Sequence, residues 1–499
     1  MPKRSSASHR SEVDVTTERD QFAWAPSDSV ARLQHLVVVI PGIGGSVLEA
    51  ADGSPIWGQG GRQLAGALVD PARLSLALHP RLRPVDLLGS TRVLPWKVVP
   101  GYDRLVHQLT NEFRLTDDDI DVACDDGVRK PGASVVLFPY DFRLGVTAAA
   151  ERLGAEMMRR LRDRPEKRQQ VVILAHSMGG LVARHWLGPG RGARYCKALI
   201  TLGTPHRGAP KALDWLLNGV RVGPGPVAAL TSTLLADAAA VLQEWPSTYE
   251  LLPRYRAVRD EESGDELYPH ELGSASFRKR AQTAFDMHRE IERAWDALDP
   301  AERPEVLALF ARGHATPSRA VLRGCRVRVT KADAEWLPNV GWRGDGTVPA
   351  MSAIPIELTK DVRARRAVPD RHGPMATCAA AVNVLREYEA EPFDSVRGDT
   401  PARPWLGLDL NEVIAAGQPF TVAAELLGTT DVEGATAWLR VTPDGGPAAP
   451  ALPMTGADGR WEVTVPGLAP GSYQLGVEAV NVPRVDRVPG GDAVGVIEP

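Results

Sequence analysis

The sequence predicts an α/β fold, a mostly parallel sheet with helices on both faces and a helical cap, followed by a C-terminal all-β sandwich. Three observations carry this. Short apolar runs alternate with helical stretches from residue 36 to 202, the rhythm of a parallel sheet buried on both faces. From about 209 to 320 the signals are almost all helical. Past Trp405 only short β-prone runs between turn residues remain, which is the pattern of an antiparallel β domain.

In chain order, residues 1–28 are polar and aperiodic and are expected to form a disordered lead-in. Leu36 to Ile40 is an apolar, β-branched run stopped by Pro41-Gly42, too short for a helix and so a buried strand. Tyr102 to about Arg114 spaces Leu105, Val106, Leu109 and Phe113 as one helical face. Ser134–Phe138, Val171–Leu174 and Ala198–Leu202 read as further strands, and residues 147–163 and Leu181–Leu187 as helices. After Pro205 an inserted cap is expected at about 209–320, with Leu213, Leu216, Leu217 and Val220 on one face and Gly/Pro punctuation at 223–226. The run 325–330 (CRVRVT) is expected to resume the sheet, the unit as a whole covering residues 29–395, and the stretch around 396–404 reads as a linker. Residues 405–499 are expected to form an immunoglobulin-like sandwich, with Asp458-Gly459 as a hairpin turn. That unit shows no catalytic constellation and reads as a stabilising or docking module for a protein partner.

Composition narrows the functional classes. A net charge of -4, from 58 Lys+Arg against 62 Asp+Glu, gives no global positive field to hold nucleic acid. The four cysteines are far apart with no C-x-x-C pair, which argues against thiolate metal clusters and fits a reducing compartment. No apolar export segment opens the chain and no apolar run reaches about 18 residues. The expectation is a cytoplasmic protein whose contact with lipid is peripheral. Neither an H-E-x-x-H spacing nor a phosphate-binding glycine loop appears: position 47 is Val where G-x-G-x-x-G needs glycine. No metal or cofactor is expected.

The chemistry gathers at four places. Val171 to Gly180 runs from a strand through a small-residue turn, Ala175-His176-Ser177-Met178-Gly179, into a helix. A serine projecting from a sheet edge needs small neighbours two positions to either side, although a glycine-relieved joint with an incidental serine has the same pattern. Asp345, in Gly344-Asp345-Gly346-Thr347-Val348-Pro349, follows as candidate acid or as a plain Asp-Gly surface turn. His372 follows as candidate base or as a loop histidine; the order Ser, acid, His is that of hydrolases with a serine nucleophile. His270, His288 and His314 fall within the expected cap, while His176 and His206 lie too near the serine in sequence. Backbone donors for a developing oxyanion are Met178, after the serine, and Ile43, in Pro41-Gly42-Ile43-Gly44-Gly45-Ser46.

Five segments in order resemble the lecithin:cholesterol acyltransferase-like branch of the α/β-hydrolases. They are Pro41–Glu49, Pro139-Tyr140-Asp141-Phe142-Arg143, the Ser177 turn, Leu202-Gly203-Thr204-Pro205 and Gly344–Pro349. The resemblance covers about residues 35–390 and leaves the tail without a counterpart. It implies an α/β-hydrolase fold with Ser177 as nucleophile, Asp345 as acid, His372 as base, and Ile43 and Met178 as oxyanion donors. It also implies an O-acyltransferase or lipid-ester hydrolase, phospholipase A-type cleavage being one outcome. Phe142 stands where the family usually has Trp, and residues 50–101 lack the cysteines that close a lid in secreted animal members. Two other readings stay open: a neutral lipase or general carboxylesterase using the same triad, and a noncatalytic hydrolase-fold binding module. The cap's apolar stretches Val227–Leu230 and Leu234-Leu235, with Trp215 and Trp245 nearby, read as core more than as a lipid-facing surface.

Overall fold

The computed structural model describes residues 33–497, apart from 59–69, 95–96, 100, 125–128, 163, 165–169, 220–235, 338–339, 390–403, 412, 430, 444–445 and 484. The expected lead-in at 1–28, the Gly/Pro punctuation at 223–226, the apolar stretches at 227–230 and 234–235, and nearly all of the linker fall outside the described residues.

Seven strands build the central sheet: β1 (Leu36–Ile40), β2 (Ile120–Val122), β3 (Val135–Leu137), β4 (Val171–His176), β5 (Cys196–Leu202), β6 (Glu305–Ala311) and β7 (Arg365–Val368). Their order is β7-β6-β5-β4-β1-β3-β2, and every neighbouring pair is parallel. Val37 to Val39 of β1 and Val171 to Leu174 of β4 are at most 1% exposed, because helices cover both faces. On one side lie α1 (Asp103–Phe113) and, near the chain's other end, Ala379–Glu389; on the other lie α2 (Val146–Arg162) and α3 (Met178–Trp186). The chain reverses direction across the sheet between β1 and β4, and the loops leaving both strands open at the same edge. That edge is where open α/β sheets place ligands.

Two expectations need correction. The insertion after β5 holds α4 (Pro210–Asn218), α5 (Ala236–Glu244) and the long α6 (Ala275–Asp296), but it ends before 305 instead of running to 320, because Glu305–Ala311 is β6 of the central sheet. Its sequence, EVLALFA, is rich in Leu and Ala, residues that favour helices, and burial of six of its seven residues overrides that propensity. Conversely, Arg326–Thr330 does not resume the central sheet; it pairs with Arg319–Arg323 in a separate four-stranded sheet that also includes Val258–Asp260 and Glu266–Leu267. Its alternating arginines suit a half-exposed strand and would be costly in a sheet buried on both faces. His314 therefore follows β6 and does not lie in the cap.

The C-terminal part is a two-sheet β-sandwich. One sheet is β8 (Trp405–Asp409), β10 (Phe420–Leu427), β14 (Arg460–Val465) and β13 (Thr455–Ala457); the other holds β9 (Val413–Ala415), β16 (Asp486–Ile497), β15 (Gly471–Val482), β11 (Thr436–Pro443) and β12 (Leu452–Pro453). Buried residues alternate with partly or fully exposed ones along β10 and the first six residues of β11, which sends one face of each inward. Asp458 and Gly459, both at positive φ, turn β13 into β14. No helix among the described residues is long and apolar enough to cross a membrane.

The Pro139–Arg143 segment ties the sheet edge to its surroundings. Arg143 is fully buried; its guanidinium makes two bonds to Asp141, of 2.8 and 2.7 Å, and its Nη1 also donates to the carbonyls of Leu74 and His79. Asp141 in turn accepts from Leu82 N at 3.0 Å, so the pair clamps residues 74–82 against the strand end. Arg143→Met leaves a buried carboxylate without its cation, and urea unfolding of the α/β unit should lose about 3–5 kcal/mol; a loss under about 1 kcal/mol would place the clamp's energy elsewhere.

Candidate active site

Ser177 sits between β4 and α3 at φ 52°, ψ -127°, a conformation that a residue with a Cβ adopts only when its surroundings impose it. Its N–H donates to Leu202 O at 2.9 Å and its carbonyl accepts from Gly180 N at 3.0 Å. The turn is this tight because α3 packs directly on the chain leaving β1. A Cβ on Gly179 would stand 2.5 Å from Pro41 O, and one on Gly42 would stand 2.7 Å from the Ser177 Cβ. The serine Oγ thus faces the crevice between the β1 and β4 loops.

The structure brings all three residues of the expected triad together. His372 Nε2 lies 2.9 Å from Ser177 Oγ, and His372 Nδ1 lies 2.7 Å from Asp345 Oδ2. His372 opens a short helical turn, His372–Met375, and its own N–H donates to Asp345 O at 3.0 Å. The other carboxylate oxygen, Asp345 Oδ1, accepts from Thr347 N and Val348 N at 2.8 and 2.6 Å. Burial pushes the Asp345 carboxyl upward, but the His372 imidazole and these bonds outweigh it and hold it below the usual carboxylate range. An ionised Asp345 fixes the proton on Nδ1 and leaves Nε2 free to accept from the serine hydroxyl.

Of the two expected oxyanion donors, Met178 is the first residue of α3, where N–H groups have no intrahelical acceptor, and Ile43 lies in the loop that lines the same cavity. Tyr140 Oη donates to Pro41 O at 2.9 Å and Tyr140 N to Ser46 Oγ at 2.9 Å, so the Pro139–Arg143 segment also steadies the Ile43 loop.

Sequence reasoning missed an inner layer. Tyr102 Oη accepts from Gly42 N at 2.8 Å and lies 2.8 Å from His176 Nδ1, while His176 Nε2 lies 2.9 Å from His372 O. The carbonyl requires a proton on Nε2, so Nδ1 accepts from the Tyr102 hydroxyl. Burial, with the neighbouring His372, drives the His176 pKa down to about 3. The imidazole set aside for its nearness to Ser177 is therefore a neutral strut between the Ile43 loop and the His372 backbone. No signal in the sequence marks Tyr102, a lone tyrosine before a helix.

The cavity over Ser177 has a volume of about 250 Å³. Its wall is mostly apolar, with Leu88, Ala209, Ala212, Trp215, Leu251 and Val348 contributing. The two tryptophans part company: Trp245 is 5% exposed in the core, edge-on to Phe142, while Trp215 faces the cavity. Lys211 also lines it, with Nζ 3.3 Å from Thr347 Oγ1.

Residues 152–221, from α2 through the Ser177 turn to the end of α4, match a family model described as a PGAP1-like alpha/beta domain. A curated relative, Phospholipase A(1) LCAT3 of Arabidopsis thaliana, is 30% identical over 129 residues, which cover 25% of this chain and 28% of that protein. The chain thus aligns with little more than a quarter of that relative's length. Among solved structures, the propeptide form of the Bacillus licheniformis lipase BlEst2 aligns over 94% of this chain and 95% of its own, at a TM-score of 0.33 and 10% identity. The sequence matches agree with the acyltransferase-like resemblance of the motifs, and with the sheet order they make the first unit an α/β-hydrolase fold.

The row of hydroxyl, imidazole and carboxylate is competent to make Ser177 nucleophilic. A fluorophosphonate ester should form one adduct, found on Ser177 by peptide mass spectrometry, and Asp345→Asn should slow its formation by at least about 10³-fold. Labelling at another residue, or undiminished labelling in the variant, would count against the relay.

Proposed function

We propose that this chain is a serine-dependent lipid-ester hydrolase of phospholipase A type that works through an acyl-enzyme on Ser177, with transfer of the acyl group to an alcohol as the alternative fate. The observation that carries the reading is the 2.9 Å contact of His372 Nε2 with Ser177 Oγ at the floor of an apolar cavity. The partial similarity to a plant phospholipase A1 supports it.

In this reading the Ser177 Oγ attacks the ester carbonyl carbon as His372 Nε2 takes its proton, and the carbonyl oxygen becomes an oxyanion facing the Met178 and Ile43 N–H groups. Collapse breaks the bond to the leaving alcohol, which takes the proton from His372. The acyl group remains on Ser177 until water or a second hydroxyl, deprotonated by His372, attacks it; the acyl–Oγ bond then breaks and Ser177 Oγ takes the proton back from His372. Asp345 keeps its charge throughout and stabilises the imidazolium. A dry, apolar cavity favours an acceptor alcohol that enters with a hydrophobic body, and a wet one favours hydrolysis.

One side chain favours phospholipids over neutral esters. Among the described residues lining the cavity, Lys211 is the one Lys or Arg; its Nζ lies 3.3 Å from Thr347 Oγ1 and 5.7 Å from the Trp215 ring centroid. An ammonium in a partly apolar wall attracts an anion, and a phosphodiester lies a few bonds from the scissile ester of a glycerophospholipid.

Two outcomes test this. With phospholipid vesicles carrying a labelled acyl chain plus a sterol or fatty alcohol, the wild type should release labelled fatty acid or form the labelled ester, and Ser177→Ala should give neither. Product from both proteins, or from neither across phospholipid, neutral lipid and soluble esters, would reject the reading. Lys211→Met should lower kcat/KM on phospholipid about 5- to 10-fold, the scale of one charge-assisted contact, and change it less than about twofold on a diacylglycerol of the same chains. Equal losses on both would remove Lys211 from substrate choice.

A further inference from the structure

The sandwich meets the α/β unit on the loops that carry Asp345 and His372. Arg371, the residue before His372, sends Nη1 to Asp492 Oδ2 of β16 at 2.8 Å, and the two side chains are only 7% and 9% exposed. The same guanidinium lies over the residue after the acid, since a Cβ on Gly346 would be 3.2 Å from Arg371 Nη2. One side chain therefore touches the acid loop, belongs to the base loop and is held from the sandwich.

His314, 1% exposed, forms a second tie. Its backbone bridges Gly344 in both directions at 3.2 Å, next to Asp345. Its Nε2 lies 2.8 Å from Pro369 O, ahead of His372, and so carries the proton; Nδ1 then accepts from Leu408 N of β8 at 3.2 Å. Thr316, two residues on, accepts from both Gly344 N and Gly346 N at 2.9 Å. The backbones close on each other as well: a Cβ on Gly407 of β8 would stand 2.9 Å from the Gly313 carbonyl carbon. A domain attached only for stability has the whole surface of the α/β unit to choose from, whereas these buried polar contacts converge within one to three residues of the acid and the base.

We propose that the C-terminal sandwich is a positioning part of the active site, with Asp492 and the Leu408 backbone fixing the loops that hold Asp345 and His372 in line with Ser177. The proposal rests on the hydrolytic reading above. Arg371, His314 and Asp492 are positioning residues, acting through the loops and not on the ester. A relay of this kind is sensitive to displacement, because moving reacting groups by about 1 Å costs on the order of 10²-fold in rate.

The test compares full-length variants on a soluble p-nitrophenyl ester, each first checked for folding by near-ultraviolet circular dichroism and melting temperature. Asp492→Asn should lower kcat about 10- to 50-fold with KM within about twofold, and Asp492→Glu, which restores the carboxylate, should recover most of that loss. Lys331→Gln breaks another contact between the two units, the 3.4 Å Lys331–Asp409 pair, and should keep wild-type kcat. Should Asp492→Asn fail to fold, Arg371→Lys, which keeps the cation without the two-pronged geometry, takes its place with the same expected split of kcat from KM. A folded Asp492→Asn, or Arg371→Lys in its stead, with unchanged kcat and a lower melting temperature would reduce the contact to stability and overturn the proposal, as would an equal kcat loss in Lys331→Gln. A wild type inactive on every ester would instead sink the hydrolytic reading, and the proposal with it.

Discussion

The backbone of Ser177, at φ 52° with its N–H bonded to Leu202 O, is the constraint from which the surrounding architecture follows. To hold a serine in that conformation, α3 must begin at once, and to begin at once it must lie against the chain leaving β1. Gly179 and Gly42 are small for that reason. Once β1 and β4 are neighbours, their loops open into one crevice, the chain after β1 carrying Ile43 and the turn after β4 leading into Met178. The parallel sheet supplies the rigidity: β1 and β4 are buried on both faces, so the strain at Ser177 is opposed by a packed core and not by a loop free to relax.

What could be read from the sequence divides along physical lines. Strands such as Leu36–Ile40 and the Val171–Leu174 part of β4 were legible because a short apolar, β-branched run that stops at turn-forming or small residues has few alternatives. β6 was not, because Leu and Ala are helix formers and only its neighbours, β5 and β7, make it a strand. β16 carried no strand signal for a related reason: it contains Pro489, Gly490 and Gly491, residues depleted in strands, yet eleven of its twelve residues pair with β15, with one register shift near its start. Ser177, Asp345 and His372 could be picked out because each stands in a loop of small residues and the three follow one another in a known order. The struts around them could not. Tyr102, His176 and His314 gain their places through bonds spanning 55 to 196 residues of chain, and no local pattern encodes such a distance.

The C-terminal unit carries no catalytic constellation in its sequence, and from sequence alone it stands as a stabilising or docking module. The structure gives the unit a different relation to the chemistry. β16 presents a carboxylate to the base loop, and β8 presents a backbone amide to His314, which itself bonds both loops; each group is unremarkable in isolation. Loops long enough to bring Asp345 and His372 back from the far side of the sheet are free to move unless something covers them. In this chain the covering surface is the sandwich.

Electrostatics makes the same point. For His372 to take a proton from Ser177, the imidazolium must be stabilised, and every other cation nearby opposes it. His176, whose ring centroid lies 5.1 Å from that of His372, stays neutral because burial, with His372 itself, drives its pKa down to about 3. His314 is held below its ordinary value by burial. Arg371, a cation, stands next to His372 in the chain. The carboxylate 2.8 Å from its Nη1 is Asp492, and at that separation the pair presents a dipole to the site in place of a full positive charge. Asp345 then remains the one carboxylate bonded directly to the imidazole. Pairing the permanent cation beside the base removes one opponent of the imidazolium, and for Arg371 the partner comes from the sandwich.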